Sequence, residues 1–347
     1  MKVGVAMSGG VDSAVSAFLL KQLGHDVFGF TCDLDGEYDC CISNAKKVCN
    51  KLDIEHFTID LHNQFDEYVK YPFIENIKQN LTPIPCIPCN RIIKFGMLLE
   101  FCREKNAKLA TGHYARIERN ISNGEYEIFR AKDVLKDQTH FLNQIKKEAL
   151  KDTIFPLGNY LKSDVFRIAK ENNLFQNFEF YKESQDVCFF NGKSYNEYIK
   201  YLGLEEKDGD IIHINTCKIL GRHSGLFKYT IGQRRYINIS WREPLYVVKK
   251  DLISNILFVG EENTLYKKEL KIKNINMLSS EIENRAMFNC KVCLRDKTPL
   301  IDAKILVNND KKIAKVILKN PARAITSGQS CVFYNNDKLL GGGEIVS

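Results

Sequence analysis

The sequence lacks any uncharged apolar run of about 18 residues, the length that a membrane-spanning helix requires. Met1 and Lys2 lead directly into an apolar segment that we interpret as a core strand, so no signal peptide is predicted. The chain also has no internal repeat and no low-complexity segment, which excludes a solenoid and a long disordered linker. We therefore expect a cytoplasmic protein without a membrane partner.

Two common nucleotide-binding motifs are absent as well. The chain has no G-x-x-x-x-G-K-[ST] segment, whose lysine serves enzymes that transfer a γ-phosphate. It has no G-x-G-x-x-G segment either, which disfavours a dinucleotide site.

The size and composition of the chain set broad limits on what it contains. Its 347 residues exceed the usual size of one domain, so we expect two or three, and 44% hydrophobic residues are enough for proper cores. Lys and Arg total 50 against 43 acidic residues, and the net charge of +7 mildly favours a polyanionic partner. The 12 cysteines should be thiols in a reducing compartment, where those with a function are catalytic, redox-active or metal-bound.

Apolar and amphipathic segments alternate in the first part of the chain. This pattern predicts an α/β fold with a doubly wound parallel sheet, whose ligands bind beyond the carboxyl ends of the strands. Gly24 is predicted to end the first helix and Ser43 to cap the second. The predicted strands are 3–7, 27–32, 56–59 and 109–111, and the predicted helices are 12–23, 44–52 and 91–105.

The remaining chain changes character twice. A largely helical section follows, with one helix beginning at Ser163-Asp164 and another over 194–202. From Gly209 onward, short strands separated by turn residues are typical of an antiparallel barrel or sandwich. We therefore expect three domains: a parallel-sheet domain over 1–135, a small helical domain over 136–208 and a β-barrel domain over 209–347.

The hexapeptide at residues 8–13, Ser-Gly-Gly-Val-Asp-Ser, lies between the first predicted strand and the first predicted helix. Glycines at such a turn let the backbone approach a phosphate at the positive end of the helix dipole. The turn resembles the pyrophosphate loop of ATP pyrophosphatases, in which Ser8 and Ser13 add hydroxyl donors and Asp12 can hold Mg²⁺. The alternative is that Asp12 or Ser13 merely caps the helix.

A second group of residues surrounds two cysteines in the proline-rich segment 82–90. Cys89 precedes a predicted helix, whose dipole should lower the pKa of its thiol and make it a nucleophile. The C-x-x-C spacing of Cys86 and Cys89 also allows a disulfide, a metal or iron–sulfur ligand pair, or two buried structural thiols. Cys290 and Cys293 have the same spacing, but they point to opposite faces of a predicted strand, so a four-thiolate zinc site is disfavoured.

Seven stretches together resemble the tRNA-specific 2-thiouridylase family, and they occur in the family's order across essentially the whole chain. Cys188, which precedes two phenylalanines and would otherwise be assigned to the core, lies in one of them. The stretches are 8–13, 82–90, 110–114, 136–138, 184–189, 229–234 and 341–343.

The resemblance implies an enzyme that uses ATP and Mg²⁺ to activate O2 of the wobble uridine, position 34 of tRNA, and replaces it with sulfur from a persulfide. Cys188 matches the cysteine that carries the persulfide. Cys89 matches its partner, which releases the sulfur and forms a Cys89–Cys188 disulfide. A protein that delivers persulfide sulfur is the implied donor.

The resemblance also implies binding residues. The ATP site comprises Ala6, Met7, Ser8, Gly9, Gly10, Val11, Asp12, Ser13, Cys32 and Gly112. The tRNA contacts are Ile84, Pro85, Cys86, His113, Lys136, Asp137, Gln138, Arg295, Asp296 and Gln329, with the target uridine flipped out beside residues 84–86.

Several residues depart from the family pattern. Ile84 replaces a usual Asn, His140 a common Tyr, Asp296 a frequent aromatic residue and Tyr236 a usual Gly. Position 86 is Cys or Asp in the family, so Cys86 is not expected to be an indispensable nucleophile. With Cys89 and Cys188 it could instead ligate an iron–sulfur cluster, which we do not predict.

Two other function classes stay open at this point. One is another ATP pyrophosphatase, such as a 4-thiouridine or lysidine synthase or an amide-forming ligase. The other is an RNA-binding protein with an inactive ATP site. The pairing of Cys89 with Cys188 argues against amide formation, and the intact Ser8, Asp12 and Ser13 argue against an inactive site.

Overall fold

A computed structural model describes residues 1–34, 39–175, 187–204, 207–308 and 312–346. Within them the α-helices are α1 (Val11–Gln22), α2 (Asp39–Lys51), α3 (His62–Phe65), α4 (Tyr71–Lys78), α5 (Cys86–Pro88), α6 (Leu99–Glu104), α7 (Lys162–Glu171) and α8 (Tyr195–Tyr201). Two π-helical segments, Asp66–Lys70 and Cys89–Leu98, connect α3 to α4 and α5 to α6. No helix in these ranges is long and apolar enough to cross a membrane.

In the described ranges, the strands fall into a first group of seven and a second group of ten. The first group is β1 (Lys2–Ala6), β2 (Asp26–Asp33), β3 (His56–Asp60), β4 (Lys108–Ala110), β5 (Ala115–Arg119), β6 (Tyr126–Arg130) and β7 (Thr153–Ile154). The second group is β8 (Asp208–His213), β9 (Ile219–Ser224), β10 (Tyr246–Asp251), β11 (Ile256–Gly260), β12 (Tyr266–Met277), β13 (Met287–Cys293), β14 (Ile301–Val307), β15 (Ile313–Arg323), β16 (Ser330–Asn335) and β17 (Lys338–Ile345).

The N-terminal sheet has five parallel strands in the order β3-β2-β1-β4-β7. Alternate side chains enter two separate cores: Val3 and Val5 face α1, α2 and α7, whereas Phe30 and Leu109 face the π-helix and α6. Both faces of the sheet are therefore covered, which confirms the predicted doubly wound fold.

Two antiparallel-rich units follow. Strands β8 to β11 form a four-stranded sheet over a small core that includes Ile211, Val247 and Leu257. Strands β12 to β17 form a closed six-stranded barrel, because β12 pairs with both β15 and β17. The β5–β6 hairpin extends this barrel sheet through the pairing of β6 with β17. The barrel is thus joined directly to the chain that leaves the parallel sheet.

Two predicted helix starts are wrong. Ser43 lies inside α2, which begins at Asp39, so it is not the cap of that helix. The helix predicted to start at residue 91 begins at Cys86, because Pro85 and Pro88 already have the dihedral angles of a helix. This shift changes the surroundings of Cys89.

Candidate active site

The loops that follow β1 and β4 meet at the carboxyl edge of the parallel sheet. Gly112 approaches the start of α1 so closely that a Cβ there would lie 3.0 Å from the carbonyl carbon of Asp12 and from the amide nitrogen of Ser13. Met7 donates its amide hydrogen to the carbonyl oxygen of Phe30, 2.7 Å away, which ties the end of β1 to β2 near Cys32. The structure therefore brings together the loop residues predicted to bind ATP.

The loop itself is shaped by Gly9 and Ser13. Gly9 has φ +74°, and a Cβ there would lie 2.7 Å from the carbonyl oxygen of Cys41. The amide of Ser8 donates to Oγ of Ser13 at 3.2 Å, and this Oγ donates to the carbonyl of Gly10 at 3.0 Å. The first backbone bond of α1 joins Ala14 to Gly10, so the positive end of the helix dipole faces the loop.

Asp12 is held by a lysine that the sequence analysis did not select. Lys162 Nζ lies 2.7 and 2.8 Å from the two carboxylate oxygens of Asp12, and Tyr114 donates its hydroxyl to Oδ1 at 2.8 Å. Lys162 is buried although it is the first residue of α7, where the helix dipole disfavours a cation. That unfavourable position was the one signal in the sequence that could have marked this lysine as functional.

Cys89 lies in the second turn of a helix rather than at its start. Its amide donates to the carbonyl of Pro85 at 3.2 Å, so this amide is not one of the unbonded amide groups at the helix N-terminus. Its side chain is buried in the core that also contains Ile93 and Leu98. Burial raises the pKa of the Cys89 thiol, which corrects the expectation that a helix N-terminus lowers it.

Cys188 lies in a turn whose aromatic side chains pack against α3 and α4. Phe189 packs against Phe65 and Phe73 with ring centroids 5.9 and 5.3 Å apart, and Phe190 stacks on Tyr198 at 4.5 Å. Cys188 itself is exposed. The stretch at 184–186, which the resemblance included, lies outside the described residues.

Cys89 and Cys188 are electrostatic neighbours. Desolvation by the surrounding protein raises the pKa of Cys188 to about 12 even though its side chain reaches solvent, and the thiols of Cys89 and Cys86 raise it further. Cys32 also has its pKa raised to about 12 by burial and by Cys89. Cys32, Cys86 and Cys89 are free thiols in this structure. Two residues 99 positions apart in the sequence therefore lie within electrostatic reach of each other.

The barrel contacts the segment that carries Cys86 and Cys89. Gln329 donates from Nε2 to the carbonyl of Thr82 at 2.8 Å, and the amide of Thr82 donates to the carbonyl of Ser327 at 3.0 Å. A cavity of about 640 Å³ lies between segment 83–92 and the barrel, and its lining includes Ile84, Pro85 and Gln329. Three residues predicted to contact tRNA therefore share one cavity.

The barrel loop with Arg295 and Asp296 also approaches this segment. Arg295 is exposed, and the charge of Asp296 is one of the groups that raise the pKa of Cys86, after burial. Burial in turn raises the pKa of Asp296 itself.

Other predicted tRNA contacts are bound within the protein. His113 is buried between Phe95 and Phe155, and its Nδ1 lies 2.8 Å from Oγ1 of Thr111. Gln138 accepts a hydrogen bond from the amide of Tyr114 at 2.9 Å, and Lys136 is partly buried.

Asp137 is the most firmly held member of this group. It is buried, and its carboxylate accepts from Arg130 Nε at 2.9 Å, from the amide of Ala131 at 3.0 Å and from Thr139 Oγ1 at 2.9 Å. Its side chain therefore positions the loop around it.

No group of three or more His, Cys, Asp and Glu side chains in the described ranges is arranged to hold a metal ion. Cys290 and Cys293 lie in different cores, as predicted from the alternation along β13.

Comparisons with known proteins cover the whole chain. Family models match residues 1–192 (tRNA methyl transferase HUP domain), 196–261 (tRNA methyl transferase PRC-barrel domain) and 267–345 (Aminomethyltransferase beta-barrel domain). A solved 4-thiouridine synthetase in complex with RNA and ATP covers 58% of this chain with 15% identity and a TM-score of 0.36, an overlap too low to identify a shared function.

Curated relatives are far more similar. The chain is 40% identical over 358 residues to the tRNA-specific 2-thiouridylase MnmA of Rickettsia typhi, covering 99% of this chain and 98% of the relative. It is 39% identical over 350 residues to the enzyme of the same name from Campylobacter jejuni, covering 99% of this chain and 100% of the relative. Identity at this level along the full length of both chains shows that the protein belongs to the tRNA-specific 2-thiouridylase family.

Proposed function

We propose that this protein replaces O2 of the wobble uridine of tRNA with sulfur, using ATP and a cysteine persulfide. The observation that carries the proposal is the placement of two neighbouring thiols, Cys89 and Cys188, in the same domain as a glycine loop shaped for pyrophosphate. Neither feature alone requires this reaction, but together they supply an activating nucleotide and a sulfur carrier.

The first step is adenylation of the uracil O2, which makes AMP the leaving group. Gly9 and Gly10 let the loop backbone approach the pyrophosphate, and Ser8 and Ser13 present hydroxyl groups to it. Lys162 brings a positive charge to the same place and stabilises the negative charge that develops on the departing pyrophosphate. Gly112 keeps the wall of the site free of a side chain.

Mg²⁺ fits the donor set of this loop, because Asp12, Ser8 and Ser13 offer the oxygen ligands that the ion prefers. When bound it would neutralise phosphate charge. In this structure both carboxylate oxygens of Asp12 are paired with Lys162. Lys162 thus fixes the carboxylate of Asp12 at the start of α1.

The second step transfers sulfur. Cys188 receives sulfur from a persulfide donor protein and carries it as Cys188–S–SH. The terminal sulfur attacks C2 of the adenylated uracil and AMP leaves. The Cys89 thiolate then attacks the sulfur of Cys188, which breaks the S–S bond, releases 2-thiouridine and forms a Cys89–Cys188 disulfide. A thiol reductant returns both cysteines to the free state, which suits an enzyme acting in the cytoplasm.

The tRNA anticodon is proposed to bind where the barrel meets segment 82–90. Ile84, Pro85 and Cys86 would line the pocket of the flipped uridine, and Arg295, Asp296 and Gln329 would approach it from the barrel. His113, Lys136, Asp137 and Gln138 would shape the opposite wall, with Asp137 acting through the loop that it holds. We propose that residues 1–135 perform the chemistry together with Lys162 and Cys188, and that the rest of 136–208 and the barrel domain 209–347 hold the RNA.

Mass spectrometry of tRNA nucleosides tests the proposal. Wild-type protein incubated with ATP, Mg²⁺, a persulfide donor and unmodified tRNA should yield 2-thiouridine together with AMP and pyrophosphate. Cys188→Ser should form no 2-thiouridine, whereas Cys217→Ser, which changes an exposed free thiol in the connection between β8 and β9, should match wild type. Formation of 4-thiouridine or lysidine instead would establish the alternative, and no modified base with reduced thiols would overturn the proposal.

A further inference from the structure

Lys94 lies in the π-helical segment Cys89–Leu98, five residues after Cys89. In a π-helix the backbone bonds join residues five apart, so position 94 lies about one turn beyond position 89 on the same side. In an α-helix of 3.6 residues per turn, the two side chains would diverge by roughly 140°. The π-helix therefore places Lys94 and the buried Cys89 on the same side of the helical segment.

The ammonium of Lys94 has no carboxylate or hydrogen-bond partner among the described residues, although the side chain is partly buried. The adjacent Ile93 and Phe95 are buried apolar side chains. An ammonium without a carboxylate partner is available to stabilise a negative charge that forms nearby.

Five titratable groups lie within electrostatic reach of Lys94, and they come from four separate elements. They are Cys32 at the end of β2, Cys86 and Cys89 on the helical segment, Cys188 on the aromatic turn and His113 after β4. The positive charge of Lys94 lowers the pKa of every one of them, against the burial that raises the pKa of the thiols. In the described part of the chain, this is the cation common to all four thiols.

We propose that Lys94 is the positioning charge of the sulfur-transfer step, stabilising the negative sulfur of Cys89 and of the persulfide on Cys188. This rests on the proposed function. The ammonium touches neither O2 nor AMP in the mechanism: it offsets charge first on the terminal sulfur that attacks C2, and then on the Cys89 sulfur that breaks the S–S bond. No proton or electron passes through Lys94, and the helix dipole that was expected to activate Cys89 is replaced by this side chain.

The test compares Lys94→Met, Lys94→Arg and Lys105→Met. Lys105 is a matched control because it lies just beyond α6 and its ammonium contacts the rings of Phe57 and Phe101, not the thiols of the site. Iodoacetamide alkylation at pH 7.5, followed by peptide mass spectrometry, gives a separate rate for each cysteine. Lys94→Met should slow alkylation of Cys89 by about tenfold, the effect of one pKa unit, and leave the exposed Cys217 unchanged. Lys94→Arg should restore most of the rate.

A second measurement distinguishes an effect on sulfur transfer from an effect on adenylation. In single-turnover assays with persulfide-loaded protein, Lys94→Met should slow the formation of 2-thiouridine while tRNA-dependent pyrophosphate release stays at the wild-type rate. An unchanged alkylation rate, or an equal loss of pyrophosphate release, would overturn the inference. If wild-type protein makes no 2-thiouridine, the proposed function fails, and the alkylation comparison still decides whether Lys94 activates the thiols. Circular dichroism of each variant shows whether it is folded.

Discussion

Lys162 shows how a single side chain can connect two distant parts of the nucleotide site. It lies 150 positions from Asp12 in the sequence, and its ammonium donates to both carboxylate oxygens of Asp12. Asp12 was predicted to lie in the glycine loop, but the residues around 162 were predicted only to begin a helix. The position of Lys162 at the start of a helix does not indicate which residue it pairs with, so its partner becomes visible only in three dimensions.

Lys162→Met should abolish most of the adenylation activity. Removal of one oriented charge from a developing anion typically costs about 10²–10³ in rate. We expect tRNA-dependent pyrophosphate release to fall by this order, while the persulfide still loads onto Cys188. The control is Lys147→Met. Lys147 forms an ion pair with Glu125 at a distance of 2.7 Å, not with a residue of the glycine loop. This variant should leave pyrophosphate release unchanged. Equal activity of the two variants would contradict the role of Lys162.

His140 makes a separate prediction about stability. It is buried, neither ring nitrogen has a hydrogen-bond partner in the structure, and burial lowers its pKa to about 4. In the unfolded chain the pKa of a histidine is about 6.5. Between this pH and about pH 4, His140 is therefore protonated in the unfolded chain and neutral in the folded chain. Stability attributed to His140 is complete above pH 6.5 and is lost as the pH falls towards 4.

His140→Phe should reduce this acid sensitivity. Urea unfolding between pH 7.5 and 5 gives the number of protons taken up on unfolding, and we expect the variant to take up about one proton fewer. The variant should also be no less stable at pH 7.5, since it removes two unpaired buried nitrogen atoms. An identical pH dependence in wild type and variant would show that His140 is accessible to protons in the folded state.

At the scale of elements, the turn that carries Cys188 depends on aromatic packing. Its two phenylalanines contact Phe65, Phe73 and Tyr198, whereas the cysteine itself reaches solvent. Without the family resemblance, Cys188 would have been assigned to the core, but in the structure it is the rings of Phe189 and Phe190 that are buried. The placement of the cysteine follows from the placement of these rings.

Phe73→Leu should therefore slow sulfur transfer more than adenylation. The variant loses ring contacts to Phe189 and Phe190, each worth about 0.5–1.5 kcal/mol, and loosens the turn. We expect several-fold slower formation of 2-thiouridine with normal pyrophosphate release. Phe57→Leu is the control, because it removes ring contacts to Phe28 and Phe101 on the edge of the sheet at a similar cost in stability. Equal effects of both variants on sulfur transfer would contradict the prediction.

Regular elements were predicted well because their periods appear in the sequence. The strands around Val5 and Phe30 and helix α1 are found within one or two residues of their predicted bounds. The π-helical segment Cys89–Leu98 was predicted as part of an ordinary helix, since its apolar positions, such as Ile93 and Leu98, also fit a period of 3.6. The unusual register that brings Lys94 and Cys89 to the same side of the segment is therefore a property of tertiary packing.

At the scale of the whole molecule, the feature least visible in the sequence is the contact between the barrel and the first domain. The β5–β6 hairpin adds to the barrel sheet, and Lys338 of β17 forms a buried ion pair with Glu127 of β6. These partners are 211 positions apart. No periodicity or local motif encodes such a pairing, although short strands and turns correctly predicted that a barrel exists.

Because the barrel contacts the first domain, we expect the barrel to be needed for the chemistry that the first domain performs. Gly328 has φ +87°, and a Cβ there would lie 2.9 Å from the amide nitrogen of Thr82, which leads into the segment with Cys86 and Cys89. Gly328→Ala should push this segment away and slow the formation of 2-thiouridine several-fold. Gly24 is a matched control, because it has a similar φ of +76° and a Cβ added there would meet no atom within 4 Å.

Both alanine variants carry the strain of a left-handed backbone, about 1–2 kcal/mol, so both should lower the melting temperature. Only Gly328→Ala should also slow sulfur transfer per folded molecule, measured by nucleoside mass spectrometry below the melting temperature of both variants. If Gly24→Ala slows the reaction equally, the loss reflects stability alone. If Gly328→Ala retains the wild-type rate, the barrel binds RNA without positioning the thiols, because the contact with Thr82 would then have no effect on Cys89.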